Sequence, residues 1–298
     1  MPTLPPPFQR VLLLGGRGML AQALDRSLRR RGVTAASVDS DGCDITDAAR
    51  VGRLFEEVRP TLVLNAAAYT AVDKAEQEED LATRVNGAAV GHLVRAAGDH
   101  GAVLVHFSTD FVFDGAATSP YAIDAATSPL SAYGRSKLAG EQALKTSGYG
   151  GWLCLRTSWL YGPWAGRPFP KVMIEAARAG KPLSVVSDQR GSPTFTPDLA
   201  EAALALVEAG ARGMFHCTGA GETSWFEFCR RTLDVFGIQP TELKAITSAE
   251  WDQMRPGTAR RPAYSVLDCS ATAAAIGRPL RHWEAGLRDY HALTAGNP

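Results

Sequence analysis

The sequence is poor in several features that identify common classes of protein. Its 298 residues include only five cysteines, which lie far apart and form no C-x-x-C pair. This pattern excludes a disulfide framework and a cysteine zinc site. The 31 basic residues are balanced by 31 acidic ones, so no net charge draws the chain to nucleic acid or to an anionic membrane. We therefore expect neither nucleic acid nor a membrane among its partners.

Long hydrophobic runs are also lacking. No apolar stretch of the sequence approaches the roughly 18 residues that a membrane helix requires. The first ten residues, MPTLPPPFQR, are rich in proline and lack the apolar core of a signal peptide. Unpaired cysteines fit a reducing compartment. The sequence therefore predicts a soluble, cytoplasmic protein.

Strand and helix patterns alternate through the first half of the chain. Five short stretches are typical of strands in a parallel sheet: 10–14, 34–39, 61–68, 102–109 and 152–158. Helical periodicity fills the gaps, and the second helix has Thr46 as a possible N-cap. This alternation predicts an α/β fold with a Rossmann-type, doubly wound parallel sheet, whose strands present their carboxyl ends along one edge.

The second half is less regular. Loops rich in glycine and proline separate a helix at 198–209, a strand at 213–217 and further helical segments. We predict a dinucleotide-binding domain at 1–157, to which 196–218 returns, and a smaller C-terminal lobe, mainly 158–298, that binds the substrate. The two parts are expected to meet at a cleft.

A glycine-rich turn links the first strand to the first helix. Residues 15–21 read G-G-R-G-M-L-A, and small residues at this spacing let a pyrophosphate approach the backbone N–H groups of a helix N-terminus. An ordinary glycine turn is the alternative. The strand before it and the helix after it supply the context that favours dinucleotide binding.

Tyr133 and Lys137 stand four residues apart in a helical segment. Residues at this spacing share one helix face, and an ammonium beside a phenol favours the phenolate. The pair therefore suits an acid/base group acting on a substrate oxygen, although a surface tyrosine packed on a lysine stem is common. Thr109, where the fourth strand ends, offers a hydroxyl at the same edge of the sheet. A strand-end cap would explain that threonine equally well.

The motifs occur in the order of a known family. The sequence resembles the dTDP-4-dehydrorhamnose reductases of the extended short-chain dehydrogenase/reductases. The matching motifs span nearly the whole chain: N-A-A-A-Y-T-A-V-D-K-A-E (65–76), S-T-D-F-V-F-D-G (108–115), S-P-L-S-A-Y-G-R-S-K-L-A-G-E (128–141), R-T-S-W-L-Y-G (156–162), D-Q-R-G-S-P-T (188–194) and R-P-A-Y-S-V-L-D (261–268).

The resemblance implies NADPH-dependent reduction of the C4 ketone of dTDP-4-dehydro-L-rhamnose to dTDP-L-rhamnose. By this likeness Tyr133 gives the proton, Lys137 holds the nicotinamide ribose and Thr109 polarises the ketone. The small residues Gly134 and Ser136 would leave room for cofactor and sugar. Substrate contacts are implied for Thr109, Asp110, Phe111, Trp159 and Arg261. A core role is the alternative for Trp159, since tryptophan is often largely buried.

The cofactor site expected from the glycine turn and the resemblance involves many positions: Gly15, Arg17, Gly18, Met19, Leu20, Asp39, Asp44, Ile45, Ala67, Ala68, Thr70, Asn86, Ser108, Tyr133 and Lys137. Arg17 can pair with a 2′-phosphate, which favours NADPH. Asp39 is the kind of acid that binds a free 2′-hydroxyl and repels phosphate. We expect NADPH to be preferred and NADH to be possible.

Two departures from the family pattern affect partners and substrate. Ala23 and Pro197 stand where some members have glutamates that hold a bridging metal between subunits, and neither side chain can ligate a hard cation. No metal is therefore predicted, and a monomer or weak homodimer is expected. Phe111 replaces a tyrosine that is frequent in the family, which removes one hydroxyl contact to the sugar.

Three other functions stay open on the sequence. The chain could reduce another dTDP-4-keto-6-deoxyhexose, or it could be a non-catalytic subunit resembling the regulatory subunit of methionine adenosyltransferase. A sugar-nucleotide 4,6-dehydratase is the least favoured, because its pattern has Asp-Glu after the threonine. Here the pair is Asp110-Phe111.

Overall fold

The computed structural model describes residues 10–295. The start of the predicted first domain (1–9) and the end of the predicted second (296–298) lie outside the described residues. The strands are, in chain order, β1 (Val11–Leu14), β2 (Ala36–Val38), β3 (Leu62–Asn65), β4 (Val103–Thr109), β5 (Trp152–Thr157), β6 (Leu160–Tyr161), β7 (Leu183–Val186), β8 (Arg190–Gly191), β9 (Thr194–Phe195), β10 (Gly213–His216), β11 (Thr223–Ser224) and β12 (Leu243–Ile246).

Six of these strands form one parallel sheet in the order β10-β5-β4-β3-β1-β2. The order runs outward from β1 in both directions, as in a doubly wound fold. The predicted α/β fold class is therefore confirmed. The carboxyl ends of β1 and β4 both face the same edge, because all six strands run the same way.

The helices cover both faces of this sheet and build the second half of the chain. They are α1 (Met19–Arg30), α2 (Ala48–Val58), α3 (Val72–Ala75), α4 (Glu79–Thr83), α5 (Ala89–Asp99), α6 (Ala132–Lys145), α7 (Phe169–Arg178), α8 (Thr196–Glu208), α9 (Trp225–Val235), α10 (Ser248–Met254), α11 (Ser270–Ile276) and α12 (Trp283–Thr294). A π turn (Arg84–Ala88) joins α4 to α5, and a 3₁₀ turn (Asp110–Val112) follows β4.

The N-cap of α2 differs from the prediction. The Asp47 carboxylate, rather than the Thr46 hydroxyl, accepts the first backbone N–H groups of this helix. The Thr46 hydroxyl instead donates to Asp44 at 2.8 Å. A carboxylate is the stronger partner for the positive end of a helix dipole.

Alternation along the buried strands divides the core into two halves. Successive side chains of a strand point to opposite faces, so Leu13 and Val105 pack on the side of α1 and α8. Leu12 and Leu104 pack on the side of α2 and α5. The strand β10 thus completes the large sheet and the helix α8 packs on one face of it, although both come late in the chain.

Aromatic side chains dominate the core of the second half. Tyr161, Phe228 and Trp283 are buried together, with edge-to-face contacts between rings. Three two-stranded sheets frame this core, pairing β6 with β9, β7 with β12 and β8 with β11. These pairings hold the strand β8, which carries Arg190, and the segment of Trp159, which lies just past the carboxyl end of β5.

Candidate active site

The glycine turn after β1 forms a close-packed cradle. A Cβ added to Gly15, whose φ is +76°, would lie 2.8 Å from the backbone of Ala67. At the N-cap of α1, Gly18 provides no side-chain hydrogen bond, and the first turn carries no acidic residue. The helix N-terminus therefore stays available to an anion, and these residues fit a dinucleotide pyrophosphate.

Arg17 lies beside two acids next to this cradle. Its guanidinium is 3.3 Å from Asp39 and 2.9 Å from Asp41, and its backbone N–H donates to Asp39 at 3.0 Å. The two residues predicted to select between cofactors therefore contact each other directly. The sequence reasoning missed Asp41, because the reach of Arg17 depends on how β2 ends.

Other predicted cofactor residues line the same edge. Ala67 and Ala68 are partly exposed and Thr70 is exposed where β3 ends, Met19 is partly exposed, and Leu20 is buried at the start of α1. Asp44 is exposed, and a hydrogen bond from the Thr46 backbone lowers the pKa of its carboxyl. Ile45 is buried in the core, so its side chain is not offered to an adenine. Contacts of this residue with a cofactor would come from its backbone.

Asn86 is placed in the π turn and is saturated by protein groups. Its amide exchanges hydrogen bonds with the N–H and carbonyl groups of Tyr69 and donates to Ser136. It therefore fixes the loop after β3 to α6 and reaches a cofactor only through that loop. π turns are frequent at functional sites.

The small residues around Tyr133 make room for protein atoms. A Cβ at Gly134 would lie 2.3 Å from the Phe111 carbonyl oxygen. The Ser136 hydroxyl is buried and donates to the Tyr133 carbonyl at 2.7 Å. The expectation that Gly134 and Ser136 leave space for cofactor and sugar is therefore wrong. They bring α6 against the 3₁₀ turn and the π turn.

Tyr133 lies at the start of α6, which is fixed by its cap. The Ser131 hydroxyl accepts from the Gly134 N–H, and the Glu76 carboxylate accepts from the Ala132 N–H. The Tyr133 ring packs edge-on against Phe111, with ring centroids 5.8 Å apart. This places the phenol at the carboxyl end of β4.

The structure corrects the expected influence of Lys137 on Tyr133. Burial, followed by the negative charge of Asp110, raises the pKa of Tyr133 to about 12, against an opposing hydrogen bond with Thr109. The phenol therefore keeps its proton at neutral pH, rather than favouring the phenolate. At neutral pH such a group holds a proton that it can donate.

Lys137 is buried with most of its hydrogen-bonding capacity unused. Its ammonium donates to the Phe107 carbonyl at 2.6 Å, the one acceptor it has among the described residues. Burial lowers the pKa of Lys137 to about 8. An ammonium carries three donors, so two are left for a ligand. Two free donors are compatible with the predicted role of Lys137 in holding the ribose hydroxyls.

Thr109 and Asp110 lie at the carboxyl end of β4 and border the site. The Thr109 hydroxyl donates to the Asp110 carboxylate at 3.0 Å and accepts from the Phe111 N–H at 3.2 Å. Asp110 is only 2% exposed. Its predicted substrate contact could therefore act only through Thr109, whereas Phe111 is partly exposed beside Tyr133.

Ser108 belongs to a buried polar network that the sequence reasoning missed. Its hydroxyl donates to Glu141 at 2.7 Å, and Glu141 accepts two further hydrogen bonds from Arg156 at 2.7 and 2.9 Å. Glu141 and Arg156 are 0% and 1% exposed. The predicted cofactor contact of Ser108 would come from its backbone. The sequence offers one indication of this network: Glu141 follows Lys137 by four residues and therefore lies on the same face of α6.

Trp159 and Arg261, the other two residues predicted to contact the substrate, each contact protein groups. Trp159 has a φ of 48°, rare for a bulky residue, and its indole stacks on Trp225 with centroids 3.6 Å apart. It is partly exposed, and a Cβ at Gly191 would lie 2.5 Å from it. Arg261 pairs with Asp73 of α3 at 2.9 Å.

The chain is similar to known proteins over nearly its whole length. Residues 9–295 match the model of the family described as "RmlD substrate binding domain". The chain belongs to this family. It is 42% identical to a Streptomyces griseus protein named dTDP-4-dehydrorhamnose reductase, covering 98% of this chain and 96% of that one.

Two further similarities extend the family relationship. A Streptomyces niveus protein named dTDP-4-keto-6-deoxy-D-glucose reductase is 39% identical, over 93% of this chain and 95% of that one. A crystal structure of dTDP-4-dehydrorhamnose reductase from Bacillus anthracis in complex with NADP superposes with a TM-score of 0.90. The identity is 33%, over 95% of this chain and 99% of that one.

Proposed function

We propose that this member of the family is an NADPH-dependent reductase of the C4 ketone of dTDP-4-dehydro-L-rhamnose, giving dTDP-L-rhamnose. The observation that carries the proposal is that Tyr133 forms a hydrogen bond with Thr109 and Lys137 donates to the Phe107 carbonyl, both on β4 near its carboxyl end. The names of the similar proteins support the substrate class, and the NADP complex of one of them supports the cofactor.

Each residue of the triad has a distinct task in this reaction. When bound, the cofactor supplies a hydride to C4. Tyr133 gives its proton to the C4 oxygen as negative charge develops there, and its raised pKa keeps it protonated beforehand. The buried Lys137 ammonium holds the ribose hydroxyls through the two donors that the Phe107 carbonyl leaves free. Thr109 donates a hydrogen bond to the ketone oxygen.

The test is direct reduction of a defined sugar. Purified protein is mixed with NADPH and enzymatically prepared dTDP-4-dehydro-L-rhamnose, and loss of NADPH absorbance is followed. The product stereochemistry is read by NMR. Absence of NADPH oxidation with every dTDP-4-ketosugar would contradict the proposal and favour a non-catalytic role.

A second candidate is reduction of another dTDP-4-keto-6-deoxysugar. The name of the Streptomyces niveus relative favours it, and Phe111 replaces a hydroxyl-bearing side chain next to Tyr133. A panel of dTDP-4-ketosugars separates the two candidates by their kcat/KM values. The sugar with the highest value identifies the substrate.

We also propose that the enzyme acts in the cytoplasm as a monomer or weak homodimer. Among the described residues no helix combines the length and apolarity needed to cross a bilayer. By the family resemblance, Ala23 and Pro197 stand where some members have glutamates that hold a metal between subunits. Analytical ultracentrifugation with and without divalent cations tests the oligomeric state, and a stable metal-dependent dimer would contradict it.

A further inference from the structure

The Thr109 hydroxyl is fully engaged with the protein. It donates its only proton to Asp110 and accepts from the Phe111 N–H. A hydroxyl has one donor and two acceptor positions, so one acceptor position is left for the hydrogen bond with Tyr133. A ketone oxygen has no proton to give to that position. In this arrangement Thr109 therefore cannot polarise a substrate carbonyl.

The Asp110 carboxyl is placed in an environment that favours its protonated form. It is 2% exposed, and its Oδ2 atom is buried without a hydrogen-bond partner among the described residues. The groups that bear on it are Thr109 on its own segment, Tyr133 from α6 and Ser265 from the C-terminal half. Burial raises the pKa of Asp110 to about 6, and Ser265 and Thr109 act against this rise.

We propose that Asp110 in its protonated form is the positioning residue that turns the Thr109 hydroxyl toward the substrate carbonyl. The carboxylic acid donates its proton in a hydrogen bond to Thr109 Oγ1. The Phe111 N–H and Asp110 then fill both acceptor positions of Thr109, and its own proton is free to bond the ketone oxygen. This inference rests on the proposed reductase function.

The arrangement has a pH dependence of defined sign. The active form carries the proton on Asp110, so kcat/KM falls as the pH rises above about 6, approaching tenfold per pH unit. Lys137 loses its own proton only near pH 8. The two effects are therefore separable in the profile.

The experiment compares pH profiles of kcat/KM for the wild type, Asp110→Asn and Asp114→Asn. An asparagine amide donates to Thr109 at every pH, so Asp110→Asn is expected to lack the fall that begins near pH 6. Asp114→Asn is the matched control, because this exposed acid lies on the same segment and bonds Tyr121. It is expected to keep the wild-type profile.

Two results would overturn the inference while the wild type reduces the sugar. One is an Asp110→Asn profile that still falls from pH 6. The other is a folded Asp110→Asn protein that has lost about 100-fold or more in kcat at every pH, which would mean that the carboxylate itself is required.

If Asp110→Asn does not fold, Thr109→Val decides. Its residual activity must lack the fall in kcat/KM above pH 6, and persistence of that fall refutes the inference. A wild type that reduces no dTDP-4-ketosugar would instead refute the proposed function.

Discussion

At the scale of single residues, the site is controlled by how deeply each titratable group is buried. The pKa of Tyr133 is raised to about 12 and the pKa of Lys137 is lowered to about 8, in both cases mainly by burial. Each shift favours the neutral form of its group. For the phenol, the neutral form is the one that can deliver a proton.

Replacing Tyr133 by phenylalanine removes this proton and little else. We expect kcat to fall by about 1,000-fold or more, since general acids contribute roughly 10²–10⁴-fold. The affinity for NADPH, measured by fluorescence titration, should change less than about threefold. Lys137→Ala should damage both quantities. A Tyr133→Phe enzyme that retained most of its turnover would show that the proton comes from another group.

Trp159 offers a partly exposed indole beside the site. Trp159→Ala is expected to raise KM for the ketosugar by about tenfold, while NADPH affinity and the melting temperature change little. Trp251→Ala, in helix α10, is the control for loss of an indole. A core role for Trp159 predicts the reverse, with an unchanged KM and a loss of about 3–5 kcal/mol in the free energy of unfolding.

The preference between NADPH and NADH depends on which groups bind the Arg17 guanidinium, because two acids already contact it. A 2′-phosphate must attract Arg17 away from Asp39 and Asp41. Arg17→Ala should therefore lower kcat/KM for NADPH by about tenfold and leave NADH nearly unchanged. Asp39→Asn should shift the preference further toward NADPH. A wild type that prefers NADH by tenfold or more would contradict the proposed use of NADPH.

At the scale of elements, the sequence predicts the parts of the site that depend on local order. The glycine turn and the pair Tyr133 and Lys137 each lie within one segment, so spacing alone is sufficient. The sequence does not reveal the acids beside Arg17 or the carbonyl against Gly134, because those contacts join segments far apart in the chain. They depend on the register and twist of the assembled sheet.

The ion pair between Glu141 and Arg156 joins α6 to β5 next to the residues proposed to be catalytic. Glu141→Gln is expected to cost about 3–5 kcal/mol in the free energy of unfolding, because it leaves a buried guanidinium without its counter-charge. Urea denaturation measures this loss.

The matched control is Glu79→Gln. Glu79 pairs with Arg135, also on α6, through two hydrogen bonds of 2.7 Å, but both side chains are about half exposed. This change should cost about 1 kcal/mol or less. Equal losses in the two variants would show that burial of the inner pair has no bearing on stability.

At the scale of the whole molecule, an ion pair connects a segment late in the chain to helix α3. Arg261 donates to Asp73 at 2.9 Å, and the same carboxylate accepts from the Ala259 N–H at 3.1 Å. Asp73 lies in α3, directly after the loop that borders the cofactor cradle. The segment implied to bind substrate is therefore fastened to the segment implied to bind cofactor.

Two variants separate a binding role of Arg261 from this fastening role. If Arg261 binds the sugar nucleotide, Arg261→Ala raises KM for the ketosugar by about tenfold or more, whereas Asp73→Asn leaves it within about threefold. If the ion pair only fastens the two parts, both variants change KM alike, because each removes the same contact. The pair is partly exposed, so neither change should cost more than about 1 kcal/mol in stability. Equal KM values for the two variants would therefore remove Arg261 from the substrate site.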